Sequence, residues 1–386
     1  MSVTKPQTGE TSIFHGIQAL RGVFAVLVVC HHVGVQSLRY WQHDWLGGVF
    51  NQSTFRVDFF FVLSGFALWT AHQADAGTPG AWRAFLGRRL LRIYPLLIIL
   101  TLVKALLLCC VPGRSLESYY LIPSLLALPQ DSFPIIVAAW TLSFEIWFTI
   151  LMTACLLLPR RAVLPALVGG GVLVAWLGVF LDIRPGLNGA GFVTHPFVLE
   201  FAAGVLVAEW VRRRLRHHQE GNLVLGIVLS AGAFVATIVA GTQHSWIASH
   251  PVIWQKVCWA LVFAAGLGGM ALWERSVEAR KWWLRDSAGL GRASYSIFLC
   301  HGFVLMGFFA VLGKGWQPAG AVWMNVLLVL VVVLSVLVGS VVWKYLEQPL
   351  GRLCRLPRRP APAKLPRPVP PLKTTTSRGS VSQQLS

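Results

Sequence analysis

Apolar residues run along this chain in blocks of about membrane-spanning length, separated by short polar segments. Ten such blocks, at 17–35, 57–72, 90–111, 134–158, 163–181, 195–211, 222–242, 253–273, 291–312 and 321–345, predict an all-α fold: a polytopic membrane protein with about ten transmembrane helices in one bundle. The third block is interrupted by Lys104, and the fourth follows a stretch containing Pro123, Pro129 and Pro134. Basic residues gather in alternate loops, around Arg83 to Arg92, Arg160 and Arg161, Arg212 to Arg216, and Arg275 to Arg285. The intervening loops hold few, such as Arg39, Arg114, Arg184 and Lys314. Positive charge collects on the cytoplasmic side of membrane proteins, so this alternation predicts a multi-pass plasma (inner) membrane protein with both termini cytoplasmic.

The ends differ from the bundle. Residues 1–12 read as a cytoplasmic N-terminal tail, lacking the basic n-region and cleavage site of a signal peptide. Residues 13–350 form the transmembrane domain. Residues 351–386 are rich in Arg, Pro, Ser and Thr and poor in apolar clusters, which predicts a disordered basic tail. No repeat of fixed period is present.

Composition strengthens the membrane assignment. Of 386 residues, 55% are hydrophobic and 12% charged, where soluble domains carry about 25% charged residues; mean hydropathy is +0.63. The net charge of +18 follows from the basic loops, and no basic, aromatic-interleaved stretch offers a base-stacking surface, so no nucleic-acid partner is expected. The seven cysteines show neither CxxC pairs nor His/Cys metal spacing; they read as small buried hydrophobes, and no metal site is predicted.

The few polar residues within or beside the apolar blocks are the candidates for chemistry, because ionisable groups are costly in a membrane helix. Arg21 and His32 lie eleven positions apart, about three turns, so they share one face of the first helix roughly 16 Å apart. His32 suits a general base, or equally a histidine satisfied by a neighbouring helix. Asp58 opens the second helix on the side of His32. It is a candidate to orient that imidazole, or to pair with Arg56, or to serve as a helix N-terminal acid. Ser64, beside Gly65, is a hydroxyl donor or a packing residue.

Arg88, Arg89 and Arg92 stand at the start of the third helix at i, i+3 and i, i+4 spacings, which suit phosphate binding as well as ordinary cytoplasmic anchoring. Glu145 lies deep in the fourth helix, as a partner for Arg21 or His32 or for a substrate hydroxyl. Trp140 and Trp147 fit either interface anchoring or sugar stacking, Glu200 is a weaker counterpart of Glu145, and Tyr295 and His301 complete the set. There is no GxSxG, Walker A, HExxH or GxGxxG motif.

Taken together, LRG with the Arg21–His32 pair, VDFFFVLSGF at 57–66, RRLLRIYP at 88–95, WTLSFEIWF at 140–148, LGRASYSIFLCH at 290–301 and EQP at 347–349 resemble the acyltransferase-3 family of integral membrane acyltransferases. The resemblance implies transfer of an acyl group, usually acetyl, from acyl-CoA to a hydroxyl, most often of a cell-surface sugar. It implies an essential histidine at His32, donor binding at Arg89 and Arg92, and a role for Glu145. It implies no permanently bound cofactor: acetyl-CoA is the donor substrate. The soluble esterase-like domain of many members is missing here, and the acceptor and oligomeric state are not given.

In the resulting scheme Arg21, Arg88, Arg89 and Arg92 hold the donor at the inner face. His32, oriented by Asp58 or Glu145, removes the acceptor proton, directly or by way of an acyl-histidine. Ser64, Trp140, Tyr295 and His301 contact substrate. Two other classes compete: a proton-coupled transporter using the same intramembrane His, Asp and Glu residues, and a membrane scaffold acting through its basic tail.

Overall fold

The computed structural model describes residues 14–50, 55–110, 120–217, 222–242, 249–276, 282–313 and 320–354. These are mainly helical, with no strand among the described residues. The helices are α1 (His15–Trp41), α2 (Phe55–His72), α3 (Ala81–Cys110), α4 (Leu121–Leu126), α5 (Trp140–Cys155), α6 (Arg160–Phe180), α7 (Gly189–Val193), α8 (Phe197–His217), α9 (Leu223–Thr242), α10 (Val252–Ser276), α11 (Trp282–Leu312), α12 (Ala321–Val342) and α13 (Gln348–Leu353).

Every apolar block coincides with one of the longer helices. Among the described residues, eight helical stretches are long and apolar enough to cross a membrane. The helices α2 and α9 fall outside that set: α2 carries Arg56 and Asp58, and the apolar run of α9 covers only Leu223–Val239. The chain is an all-α polytopic membrane protein.

The boundaries shift where hydropathy and helicity part company. Helix α3 starts at Ala81, not 90, because its Arg-rich first turns are good helix formers though not apolar. Helix α5 starts at Trp140, not 134, after an irregular stretch and a 3₁₀ turn at Val137–Ala139. The helix after Glu347 runs to Leu353, so 351–353 are ordered rather than part of a tail. The tails at 1–12 and beyond Cys354 lie outside the described residues. All seven cysteines are free thiols, but only Cys30 and Cys300 are buried. Cys109, Cys110 and Cys258 are exposed on the outer surfaces of their helices, which corrects their assignment to the core.

Two backbone contacts set the helices that carry the site. Helices α2 and α8 meet through Gly65 and Gly204: a Cβ at Gly65 would lie 2.0 Å from the Phe201 carbonyl oxygen, and one at Gly204 would lie 1.9 Å from that of Val62. Helices α1 and α11 meet the same way: a Cβ at Gly291 would lie 1.8 Å from the Gln18 carbonyl oxygen, and one at Gly22 would lie 2.6 Å from the Leu290 Cβ. Small residues replace the hydrophobic drive that helices lack in lipid, by letting backbones approach.

The first turn of α1 is closed by Glu274 of α10, whose carboxylate accepts the N–H groups of His15 (2.7 Å) and Gly16 (2.9 Å). A buried carboxylate there satisfies donors left over by the helix and complements its dipole. Between these helices the interior is aromatic: Phe61, Phe144, Phe148, Phe197 and Phe201 form a continuous ring network, and Phe24 stacks on Phe59 at 3.8 Å.

Candidate functional site

A cavity of about 320 Å³ lies between five helices, α1, α2, α3, α5 and the middle of α11. That is within the range of small-molecule sites. Its walls are mostly apolar, and its charges converge at one place: Arg21 from α1, Arg89 and Arg92 from α3, and Glu145 from α5. Arg89 forms an ion pair with Glu145, and its Nε donates to Thr149 Oγ1 at 3.4 Å. Thr149 is itself fixed by donating to the Glu145 carbonyl at 2.8 Å. Tyr295, on the facing wall, donates its hydroxyl to the Ile93 carbonyl at 2.8 Å, which ties α11 to α3 beside Arg92. Ser64 also lines the cavity.

The basic cluster contains a second acid. Glu347 accepts a hydrogen bond from Ser296 and interacts electrostatically with Arg21 and Arg92. It sits on a π-helical turn, Trp343–Glu347, joining α12 to α13; such turns recur at functional sites. Sequence reasoning quoted the EQP motif without assigning Glu347 a place. The signal was its position as the first carboxylate after a long apolar run.

His32 does not line this cavity. Its Nδ1–H donates to the Val28 carbonyl one turn back, at 3.0 Å, which fixes the tautomer and leaves Nε2 as the basic nitrogen. The ring packs against His301 of α11 with centroids 4.9 Å apart, and His301 Nδ1–H likewise donates to its own helix, at the Ile297 carbonyl, 3.3 Å. Phe298 connects the two levels: it lines the cavity and lies 6.1 Å from His301, ring to ring. His31 faces elsewhere, donating to the Phe50 carbonyl at 2.8 Å.

Neither proposed acid is found against His32. Asp58 is fully buried in an ion pair with Lys256 of α10, and Glu145 belongs to the arginines. Glu200 of α8 lies fully buried beside Asp58, carboxyl group against carboxyl group. The Lys256 ammonium also stands 4.6 Å over the Phe197 ring. Arg88 is directed away from the cavity toward Asp75, 3.9 Å distant, on the surface. Trp140 packs on Phe144 and Phe197 and does not reach the cavity. Of the eleven predicted residues, Arg21, Ser64, Arg89, Arg92, Glu145 and Tyr295 thus share the cavity, His32 and His301 form a separate pair, and Asp58, Arg88 and Trp140 lie apart. No group of three His, Cys, Asp or Glu residues is placed to hold a metal among the described residues.

The model of one family, described as an acyltransferase domain, matches residues 14–344. The chain is also similar to the exopolysaccharide production protein ExoZ of Rhizobium meliloti (strain 1021), with 28% identity over 311 residues that cover 78% of this chain and 90% of the relative. No solved structure matches it. An interior cavity furnished with clustered arginines, inside a helical bundle matched along nearly its whole length, leaves no ambiguity of class: the chain belongs to the acyltransferase-3 family and is a membrane acyltransferase.

Proposed function

We propose that this protein transfers an acyl group, acetyl by default, from acyl-CoA to a hydroxyl of a polysaccharide-type acceptor, with His32 as general base. The observation that carries this is the convergence of Arg21, Arg89 and Arg92 on one cavity. Guanidinium groups pair with phosphates through charge-assisted, often bidentate hydrogen bonds, and CoA is a polyanion with phosphates at one end and a thioester at the other. Glu145 and Glu347 hold the guanidinium groups in place before the donor arrives. The resemblance to ExoZ supports an exopolysaccharide as acceptor.

The chemistry needs little more than a base and an oriented thioester. The thioester passes Phe298 toward His32, some 16 Å from Arg21 along α1. The acceptor oxygen attacks the thioester carbonyl carbon while its proton moves to His32 Nε2. The tetrahedral intermediate then expels CoA thiolate, which takes the proton back. The fixed Nδ1–H tautomer of His32 suits this role, because the backbone carbonyl of Val28 does the orienting usually given to a carboxylate.

The test is transfer of labelled acetyl from acetyl-CoA to exopolysaccharide by the purified protein in lipid vesicles. Transfer is expected with wild type, and a fall of about 10²–10⁴ with His32→Ala at equal protein level. Substrate flux without acetyl-CoA, or full transfer by His32→Ala, would sink the proposal.

A further inference from the structure

Three helices carry polar residues at two matched levels. At the cavity, α1 supplies Arg21, α3 supplies Arg92 and α11 supplies Tyr295. Further along the same helices stand His32, Lys104 and His301, which are eleven, twelve and six residues on, or roughly 16, 18 and 9 Å at helical rise. The upper three also meet. His32 and His301 pack ring to ring, and Lys104 interacts electrostatically with both. The Lys104 ammonium lies 3.6 Å from where a Cβ on Gly302, the residue after His301, would stand, and 5.6 Å over the Phe303 ring.

Lys104 is a buried cation within an otherwise apolar helix, Leu96 to Cys110. A lysine within such a helix is costly, and the proposed function has given it no task. It also stands where negative charge would develop.

We propose that Lys104 is a catalytic residue, its ammonium stabilising the oxyanion formed when the acceptor attacks the thioester near His32. This rests on the acyl-transfer proposal above. In the addition step the new C–O bond forms, the carbonyl π pair moves onto oxygen beside Lys104, and the acceptor proton moves to His32. In the collapse the carbonyl re-forms, the C–S bond breaks, and the proton leaves His32 with the thiolate. Lys104 keeps its protons throughout. A fixed cation in a water-poor site is effective here because it needs no reorganisation as the charge appears.

The experiment compares wild type, Lys104→Met and Lys104→Arg in lipid vesicles. It measures acetyl-transfer kcat, acetyl-CoA Kd by equilibrium binding, and the thermal unfolding midpoint. Loss of one oxyanion donor lowers kcat by about 10²–10³. The Met variant is expected to show that fall with donor Kd within about twofold, and the Arg variant to recover at least about tenfold of it. Met variant turnover within about threefold of wild type would overturn the assignment. So would a donor Kd that rises in step with the loss of turnover, which makes Lys104 a donor-binding residue. If Lys104→Met does not assemble, Lys104→Gln replaces it, and failure of both establishes a structural lysine instead. Wild type inactive with acetyl-CoA defeats the functional proposal itself. Active wild type beside an equally active Lys104→Met defeats this inference alone.

Discussion

Among the described residues, two buried charge clusters stand in contrast, and only one of them opens on space. Arg21, Arg89 and Arg92 with Glu145 line a cavity of about 320 Å³. Asp58, Glu200 and Lys256 are sealed among Phe55, Phe197 and Trp259, where Asp58 and Glu200 have no exposure at all. The first cluster has more cations than acids, even counting Glu347, as the proposed binding of an anionic donor requires. The second has one ammonium for two carboxylates, all three buried, and it joins α2, α8 and α10 to one another. Residues that look alike as intramembrane charges therefore divide into a receiving group and a fastening group, and the division follows from what surrounds them.

That contrast breaks most sharply at Lys256. Removing one partner of a buried ion pair costs about 3–5 kcal/mol, so Lys256→Met is expected to lower the unfolding midpoint strongly in detergent. Adding Asp58→Asn and Glu200→Gln to Lys256→Met is expected to restore most of the loss, because no buried carboxylate of the cluster is then left without its counterion. No recovery in the triple variant would mean that the cluster does more than fasten helices.

Arg89→Gln comes next in size. Loss of a hydrogen bond to a charged group is worth about 1.5–3 kcal/mol, so the acetyl-CoA Kd is expected to rise by about 10- to 100-fold in equilibrium binding. An unchanged Kd would remove Arg89 from the donor site. The smallest effect belongs to Arg88, exposed and directed at Asp75. Exposed ion pairs contribute about 0–1 kcal/mol, and Arg88→Ala is expected to leave both donor affinity and unfolding midpoint nearly unchanged. A large rise in Kd there would extend the receiving cluster to the surface.

Much of this was legible in the chain. The apolar blocks located the long helices, and the i, i+3 spacing of Arg89 and Arg92 with Arg21 on the same side foretold a basic cluster. The partner of Asp58 was not legible: Lys256 is 198 residues away, and spacing carries no information on which of several buried cations a carboxylate meets. The same gap left Glu145 between Arg21, His32 and a substrate hydroxyl in expectation, whereas Arg89 holds it. The orienting partner of His32 was missed because it is a backbone carbonyl, Val28, which every helix offers and no side-chain motif marks. Arg88 was placed with its neighbours because adjacent arginines read alike, although about 100° of helix separates their directions.

The most direct test of the contrast is the acetyl-CoA binding isotherm of folded wild type, Arg92→Gln and Lys256→Met, measured side by side. The account predicts about tenfold or greater weakening for Arg92→Gln, which removes a cavity cation, and unchanged affinity in the folded fraction of Lys256→Met. Equal affinity for wild type and Arg92→Gln, or weakening confined to Lys256→Met, would contradict it.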